Sequence, residues 1–327
     1  MIVHPLPESC SRMQRYTSSA RVAQMAVDLK PDLFHVHEPA LLGPVIARAS
    51  SRPVIYDVHE SFLDMLTESK WLPFWVKPVA RLAWDHWERR LVQRCAGVVV
   101  VTEPIAKRYA SFHPNVRVVA NYPEWQASEH LPPVTRDGCT CVIAGALTRD
   151  RGLLEVFKAL AILKQRDVEV PLALAGPSIS DEYLESLLAE ANGLGIRRQV
   201  RYHGILSRKK AQILQYESSI GIVTYLPTPN SVVGLPNKLM ECMSLGLPVV
   251  CSNFPVYQEV AGTTGAGILV DPTVPEQIAD AIESFVRDPS RAHRMGEAGK
   301  AAVRDRFNWQ AESTKLLDLY RELIGVP

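Results

Sequence analysis

The sequence predicts an α/β protein made of two doubly wound parallel-sheet domains. Short β-branched runs alternate with helical patterns along the chain, which is typical of a parallel sheet covered by helices on both faces. A chain of 327 residues that is 47% hydrophobic has the size for about two such domains. The polar, proline-bearing segment WQASEHLPPVTRDG (125–138) shows neither the helical nor the strand period of apolar residues. It is therefore the best linker candidate. We therefore expect two domains that face each other across a cleft.

Ten segments are predicted to be strands, four before the linker and six after it. The first four are DLFHVHE (32–38), PVIYDVHE (53–60), GVVVVT (97–102) and VRVVAN (116–121). The other six are TCVIAG (140–145), PLALAG (171–176), VRYHG (200–204), IGIVTY (220–225), LPVVCS (247–252) and GILV (267–270). Ligands of open parallel sheets bind outside the carboxyl ends of the strands, so the chemistry is expected where these segments stop.

Composition excludes several classes of function. The net charge of +1 gives no general attraction to nucleic acid, so no nucleic-acid partner is expected. Only Cys139 and Cys141 among six cysteines lie close together, and their spacing is unlike that of zinc sites. We interpret them as buried thiols suited to a reducing cytoplasm. The sequence has no apolar run of about eighteen residues and no apolar core of a signal peptide. Neither a membrane-spanning helix nor export is therefore predicted.

The segment GALTRDRGLLEVFKALAIL (145–163) is the first candidate binding site. It joins a strand end to a helix whose apolar residues recur at helical spacing. A helix N-terminus presents unpaired amides, and Arg151 adds a planar cation with several donors, so together they would hold a diphosphate. The alternative is an ordinary βα turn with a solvated arginine, and this motif alone does not exclude it.

The segment GLPNKLMECMSLGLPVV (234–250) predicts a helix over about 236–245. Pro236 suits a first turn, Gly246 suits a C-terminal cap, and Pro248 stops the helix.

One face of that helix carries the second candidate site. Helical spacing places Asn237, Lys238 and Glu241 together, while Leu239 and Met243 line another face. Glu241 could therefore accept hydrogen bonds from the paired hydroxyls of a ribose. The alternative is a solvated ion pair between Lys238 and Glu241.

In order and spacing, the motifs resemble glycosyltransferase family 4, the retaining nucleotide-sugar enzymes of group 1 with the GT-B fold. In the second half the resemblance is carried by strand-G-x5-R-G, LALAG, VRYHG, PNKLMECMSLGLPVVCSN, GAGILVDP and FNW. In the first half it is carried by PDLFHVHEPALL, VIYDVHESF, VVVVTEPI and VVANYP. The residues of these motifs are most similar to those of the enzymes that build bacterial surface polysaccharides.

The resemblance implies an architecture and an activity. An N-terminal acceptor-side domain with the linker would cover 1–134, and a Rossmann-like domain that binds the nucleotide sugar would cover 135–327. The final helix, over 309–325, would cross back to the first domain, with Leu316, Leu317, Tyr320 and Leu323 on its apolar side. The implied reaction moves a sugar from a nucleotide diphosphate sugar to a hydroxyl acceptor, in polysaccharide or glycolipid biosynthesis. A non-catalytic nucleotide-sugar-binding subunit and a sugar-nucleotide epimerase are the alternatives.

The resemblance also implies roles for single residues. Arg151 would hold the diphosphate, Glu241 would bind the ribose, and His59 would contact the transferred sugar near its reacting carbon. The other expected donor-site residues are Gly145, Arg149, Gly152, Gly234, Leu235, Asn237 and Lys238. No cofactor or metal is expected, because the protein's own cations and amides stabilise the leaving diphosphate. His35 and His37 are expected to line the core or the cleft, with a metal pair as the alternative.

The chain departs from the family pattern at three places. Val233 stands where the first of two spaced glutamates is expected, and the amides around Gly234 and Leu235 would substitute for it. Ala146 stands where an arginine is common, and Arg149 would compensate. The opening strand and glycine-containing loop of the family are not recognised before MIVHPLPESCSRMQRY, so a fragment, or a partner chain that completes the first sheet, is expected.

The segment 70–94 predicts a contact with a membrane surface. Its tryptophans and phenylalanine are interleaved with lysines and arginines, a composition suited to a lipid interface. A long helix packed on its own domain is the alternative. We expect a saccharide or lipid-linked acceptor, and a cytoplasmic protein with peripheral contact at the inner face of the cell membrane.

Overall fold

The computed structural model describes residues 12–69, 72–124 and 139–325, with backbone alone at 12–17 and 68. The chain divides into two compact units, one formed by Met1–Ala120 with Ser313–Pro327 and the other by Asn121–Glu312. The linker predicted at 125–138, and with it the boundary predicted after residue 134, lies outside the described residues. No helix among the described residues is long and apolar enough to cross a membrane.

The first unit contains a four-stranded parallel sheet in the order β1-β2-β3-β4. Its strands are β1 Phe34–Val36, β2 Val54–Val58, β3 Gly97–Val100 and β4 Val116–Val118. Its helices are α1 Arg12–Asp28, α2 Pro39–Ile46, α3 Phe62–Glu68, α4 Lys77–Val92 and α5 Glu103–Ala110. The strands β2 and β3 are buried along their whole length, as β-branched strands covered on both faces should be.

The second unit contains a six-stranded parallel sheet in the order β10-β9-β8-β5-β6-β7. Its strands are β5 Cys141–Ala144, β6 Leu172–Ala175, β7 Val200–Tyr202, β8 Ile220–Val223, β9 Val249–Ser252 and β10 Gly267–Val270. Its helices are α6 Leu153–Gln165, α7 Asp181–Gly193, α8 Arg208–Glu217, α9 Pro229–Val233, α10 Asn237–Ser244, α11 Pro255–Tyr257, α12 Pro275–Arg287 and α13 Pro289–Asp305. The last helix, α14 Trp309–Ile324, has residues in both units.

The fold class predicted from the sequence is confirmed. All ten predicted strands are present, each within its predicted segment, and both sheets are parallel. In the second unit one apolar core lies around Phe157 and Phe285, and another lies around Met240 and Met243. This sheet is therefore covered on both faces, which defines a doubly wound domain.

The apolar side predicted for the last helix needs one correction. Leu317 is 49% exposed, whereas Leu319, which was not predicted to face inward, is fully buried. The side chain of Leu319 lies against Gly97 at the start of β3. The buried stripe of α14 is therefore shifted around the helix, because two adjacent leucines cannot both face the sheet at 3.6 residues per turn.

Helix α10, which carries Lys238 and Glu241, packs closely on helix α13. A Cβ atom added to Gly296 would lie 2.1 Å from the carbonyl oxygen of Gly246, just beyond the end of α10. One turn further along α13, a Cβ atom at Gly299 would lie 3.3 Å from Met243. The two glycines thus allow a backbone approach that fixes the position of α10.

We predict that Gly296→Ala destabilises the protein by about 1–3 kcal/mol, since backbone atoms must move to admit the methyl group. The matched control is Gly193→Ala, where the added Cβ meets nothing within 4 Å at the end of α7. It should leave stability unchanged or raise it by up to about 1 kcal/mol. Urea unfolding followed by circular dichroism measures both, and equal midpoints for the two variants would contradict this packing.

Candidate active site

The carboxyl ends of β5 and β6 approach each other through glycine. Gly145 and Gly176 have φ angles of +143° and +134°, which side-chain-bearing residues rarely adopt. A Cβ atom at Gly176 would lie 2.0 Å from the carbonyl oxygen of Gly145. The amide of Gly145 donates to the carbonyl of Ala175 at 2.8 Å. Glycine at both positions therefore keeps this edge of the sheet open to a ligand.

A pocket of about 300 Å³ lies at this edge, entirely within the second unit. Strand ends, the α8 region and helix α10 supply most of its wall. The lining residues are Pro123, Glu124, Ala144, Gly145, Ala175, Gly176, Pro177, Leu206, Arg208, Ala211, Gln212, Gln215, Lys238, Glu241, Ser244 and Leu245. Three of the predicted donor-site residues, Gly145, Lys238 and Glu241, are among them.

The ion pair between Lys238 and Glu241 forms part of the pocket wall. The Lys238 Nζ donates to the Glu241 Oε2 at 2.7 Å, and about a third of each side chain is exposed, 32% and 35%. The ion pair given as the alternative is therefore present, and both residues also face a pocket, while the ribose contact of Glu241 stays a prediction. A carboxylate has several acceptor positions, so Glu241 can accept further hydrogen bonds while it is paired.

The sequence of α10 explains why one carboxylate interrupts an apolar helix. Leu239, Met240, Cys242 and Met243 are all buried against the second unit's core. Position 241 is the one in this run that faces outward, toward the pocket. The packing of its neighbours therefore fixes the direction of the Glu241 side chain.

Arg151 lies in a short 3₁₀ turn, Arg149–Arg151, that precedes α6. Its guanidinium carbon lies 4.1 Å from the centre of the Tyr225 ring, and its Nε is buried without a hydrogen-bond partner among the described residues. Burial lowers the pKa of Arg151, and the nearby Asp150 partly offsets this. Arg151 remains a cation at neutral pH. A half-buried cation with unmet donor capacity is suited to bind an anion.

Another unmet polar atom lies beside the same turn. Gly152 has φ +67°, and a Cβ atom there would lie 2.2 Å from the carbonyl oxygen of Thr224. The Oγ1 of Thr224 is buried and lacks a partner among the residues described, and so does the Oγ1 of Thr148 at the start of the turn. Buried hydroxyls normally have a partner, so this region has capacity for a polar ligand or water.

The other predicted donor-site residues lie elsewhere. Arg149 is exposed, and its guanidinium carbon lies 4.9 Å from the centre of the Tyr183 ring, away from the pocket. The Gly152 amide bonds the Arg149 carbonyl at a long 3.4 Å, and the Gly234 amide donates to Asn230 at 2.9 Å. Gly234, Leu235, Asn237 and Arg151 do not line the pocket.

In the first unit, His59 belongs to a cluster of three histidines around Asp57. The Asp57 Oδ2 lies 3.0 Å from the His35 Nε2, 3.2 Å from the His37 Nδ1 and 3.6 Å from the His59 Nε2. The His37 Nδ1 and the His59 Nε2 are 2.9 Å apart. The cluster lies at the carboxyl ends of β1 and β2, where the sheet rule predicts chemistry.

Electrostatics stabilise the carboxylate form of Asp57. Burial alone would raise its pKa, but hydrogen bonds from His35 and His37 outweigh burial and hold the pKa well below the ordinary value. The hydrogen bond to Asp57 in turn raises the pKa of His37, against the opposing effect of its own partial burial. The cluster therefore pairs one buried anion with imidazoles that can carry a proton or a lone pair.

The sequence analysis did not predict Asp57 as a site residue, and it placed Tyr320 on the apolar side of the last helix without predicting its contact with His35. The signal for Asp57 was present, since HVH and DVH repeat a two-residue spacing at the ends of consecutive predicted strands. The observed register, His35 opposite Ile55 and Val36 opposite Tyr56, brings the two motifs side by side. The contact of Tyr320 with His35 joins residues that are 285 positions apart, and no local pattern indicates it.

The structure thus has two parallel-sheet units, with a polar pocket at the strand ends of one and a histidine cluster at the strand ends of the other. Residues 136–302 match the family model described as glycosyl transferases group 1, and residues 1–122 match that of glycosyltransferase family 4. The chain belongs to the group 1 glycosyl transferases, as its motifs predicted. This membership does not favour an epimerase or a non-catalytic subunit.

A curated relative agrees with this family, and solved structures agree with the fold. The chain is 27% identical to the GDP-mannose-dependent alpha-(1-6)-phosphatidylinositol monomannoside mannosyltransferase of Mycolicibacterium smegmatis, over 96% of this chain and 80% of that protein. It superimposes on sucrose-phosphate synthase from Thermosynechococcus elongatus with TM-score 0.74 at 19% identity, covering 97% and 81% of the two chains. The Anabaena protein Alr3699/HepE in complex with UDP and glucose gives TM-score 0.73 at 17% identity, covering 93% and 81%.

Proposed function

We propose that this glycosyltransferase binds the nucleotide of its donor in the pocket above Gly145 and Gly176 and transfers the sugar with retention of configuration. The observation that carries the proposal is Glu241, a single outward-facing carboxylate on a helix whose neighbouring side chains are buried. A carboxylate that reaches a partly exposed pocket can accept hydrogen bonds from the two vicinal hydroxyls of a ribose.

The pocket also offers an apolar surface for a base. Pro177 and Leu206 lie in its wall, near the close approach of Gly145 and Gly176. A planar base could pack against these residues in the same pocket that Glu241 lines. Gln212 and Gln215 also line the pocket, although Gln215 is only 2% exposed and its Nε2 points to the Cys242 Sγ.

Arg151 and Lys238 are the cations proposed for the diphosphate. Negative charge grows on the leaving diphosphate in the transition state, and cations held in place before the reaction stabilise it without reorganisation. The stacking of Arg151 on Tyr225 holds its guanidinium in position, and the ion pair with Glu241 does the same for Lys238. Because these two cations supply the charge, the proposal needs no metal at the diphosphate.

His59 is proposed to orient the transferred sugar. Its side chain is 48% exposed, whereas the side chain of Asp57 beside it is buried. One edge of the ring therefore faces Asp57, and the rest of the ring is accessible to a ligand. An accessible ring nitrogen can hydrogen-bond a sugar hydroxyl. This role is proposed because the YDVHE motif resembles the family's motif. It does not depend on any contact between the two units.

We predict that the chain binds UDP or GDP, and that Arg151→Ala and Glu241→Gln each weaken binding about tenfold or more. Each substitution removes charge-assisted hydrogen bonds worth about 1.5–3 kcal/mol. Calorimetric titration of the purified chain with each nucleotide measures the affinity. Both bases are tested because the relative named above uses GDP-mannose and the solved Anabaena protein binds UDP.

The matched controls are Arg166→Ala and Glu190→Ala, exposed charges on the same unit outside the pocket. They should bind as the unaltered chain does. Equal affinity in the Arg151 and Glu241 variants would contradict the proposed site. With a donor that turns over, the anomeric configuration of the product, read by nuclear magnetic resonance, tests retention, and inversion would remove that part of the proposal.

The acceptor side of the proposal includes a lipid surface that contacts the start of α4. Phe74 and Leu82 are 84% and 74% exposed, and Trp75 and Val79 are exposed beside them. Trp84 instead packs inward, with its ring 3.9 Å from Phe62. The packing of Trp84 agrees with the alternative of a helix packed on its own domain, whereas the membrane contact stays a prediction. Single exposed apolar residues are common on protein surfaces, but a group of large ones within a short segment indicates an interaction site.

Charge favours an anionic membrane as the occupant of this surface. Arg90 and Arg94 follow the apolar residues near the end of α4, are exposed, and form no ion pair within the described part of the chain. Basic side chains next to exposed aromatic ones are suited to anionic headgroups. The relative from Mycolicibacterium smegmatis is named as a phosphatidylinositol monomannoside mannosyltransferase, which agrees with a lipid-linked acceptor here.

We predict that the chain floats with vesicles containing anionic lipid and that the double variant F74S/W75S loses most of this binding. The matched control, I179S/I205S, removes two exposed apolar residues from the other unit and should float unchanged. Vesicles of neutral lipid should bind less, because the contribution of Arg90 and Arg94 is lost. Equal flotation of the two double variants would contradict a role for this surface.

A further inference from the structure

The turn before α6 carries two arginines, and each of them stacks on a different tyrosine. The guanidinium carbon of Arg151 lies 4.1 Å from the centre of the Tyr225 ring, and that of Arg149 lies 4.9 Å from the centre of the Tyr183 ring. A guanidinium on the face of a tyrosine ring is attracted by the electrons of the ring. The two pairs therefore have the same chemistry within one turn, and their surroundings distinguish them.

The surroundings of Arg151 are enclosed and polar. Its Nε, the Oγ1 of Thr224 and the hydroxyl of Tyr257 are buried, and none of the three has a hydrogen-bond partner among the described residues. Arg149 is exposed instead. Because water competes less for a buried cation, the ring of Tyr225 has a stronger influence on Arg151 than the ring of Tyr183 has on Arg149.

The order of the strands places Tyr225 beside the arginine turn. The strands β5 and β8 are neighbours in the second sheet, so the residues that follow their carboxyl ends lie side by side. The Leu226 amide donates to the carbonyl of Asp150 at 2.8 Å, which joins the segment after β8 to the turn after β5. Gly152 allows this approach, because a Cβ atom there would lie 2.2 Å from the carbonyl oxygen of Thr224.

The ring of Tyr225 is itself held in place. The Ser252 Oγ, at the end of the next strand β9, donates to the Tyr225 carbonyl at 2.7 Å. The fully buried ring of Tyr257 meets the Tyr225 ring edge to face, with the ring centres 6.5 Å apart and an angle of 71° between the planes. Tyr225 therefore presents a fixed face, which limits the rotamers open to a long arginine side chain.

We propose that Tyr225 is a positioning residue for the diphosphate of the donor, because its ring holds the Arg151 guanidinium in the orientation that binds the phosphates. This inference rests on the function proposed for Arg151. Arg151 does not line the pocket, so its contribution to binding depends on where its guanidinium points. A guanidinium that is already ordered loses less conformational freedom when a ligand binds. Tyr183 has no such role, since Arg149 lies away from the pocket.

The test is a calorimetric titration of the full chain with UDP and with GDP. For the nucleotide that binds more tightly, Tyr225→Leu should weaken affinity about fivefold or more, because the attraction between ring and cation is lost. Tyr225→Phe keeps the ring and should bind as the unaltered chain does. The matched control is Tyr183→Leu, which removes the other ring from the same turn and should leave affinity unchanged. Tyr225→Met, which also lacks a ring, replaces the leucine variant if that variant does not fold.

A double-mutant cycle separates positioning from a general effect on structure. If Tyr225 acts through Arg151, Tyr225→Leu has no further effect in a chain that already carries Arg151→Ala. Weakening by the same factor in both backgrounds, or equal affinity of the Tyr225→Leu and Tyr183→Leu variants, would overturn the inference and leave the proposed nucleotide site standing. Absence of nucleotide binding by the unaltered chain would contradict the proposed site itself, and this inference with it.

Discussion

The structure depends on one constraint of parallel sheets, namely that all strands end at the same edge. Each strand end there must be followed by a turn, and the backbones of neighbouring turns come close. In the second unit glycine resolves this crowding, with Gly145 and Gly176 in conformations that leave no room for a side chain between them. The pocket exists because that edge is kept free of side chains, and α10 then places Lys238 and Glu241 beside it.

In the first unit, the carboxyl ends of the strands carry a different kind of residue. Polar side chains, rather than glycines, follow β1 and β2, and they surround the buried carboxylate of Asp57. A buried charge is stable only if neighbouring groups hydrogen-bond it, so the positions of His35 and His37 are constrained by Asp57 as much as by their own strand. The ring of His59 contacts Asp57 and His37, and its position therefore depends on these two residues.

The sequence predicted the elements well because each has a local signal. The ten strands, the limits of α10 and the outward position of Glu241 all follow from runs of β-branched residues, from proline and glycine, and from helical spacing. The Asp57 cluster depends on strand register, which a single strand does not encode. The positions of Arg149 on Tyr183 and of Tyr320 on His35 depend on residues distant in sequence. These contacts arise from packing, and so local patterns could not reveal them.

Hydrogen–deuterium exchange of the full chain, with and without a saturating nucleoside diphosphate, shows whether the nucleotide occupies the pocket at the edge of the second sheet. We expect slower exchange in the turn over 145–153 and in the start of α10, and no change at the ends of β1 and β2. Protection confined to the first unit, or absent from both segments of the second, would contradict it.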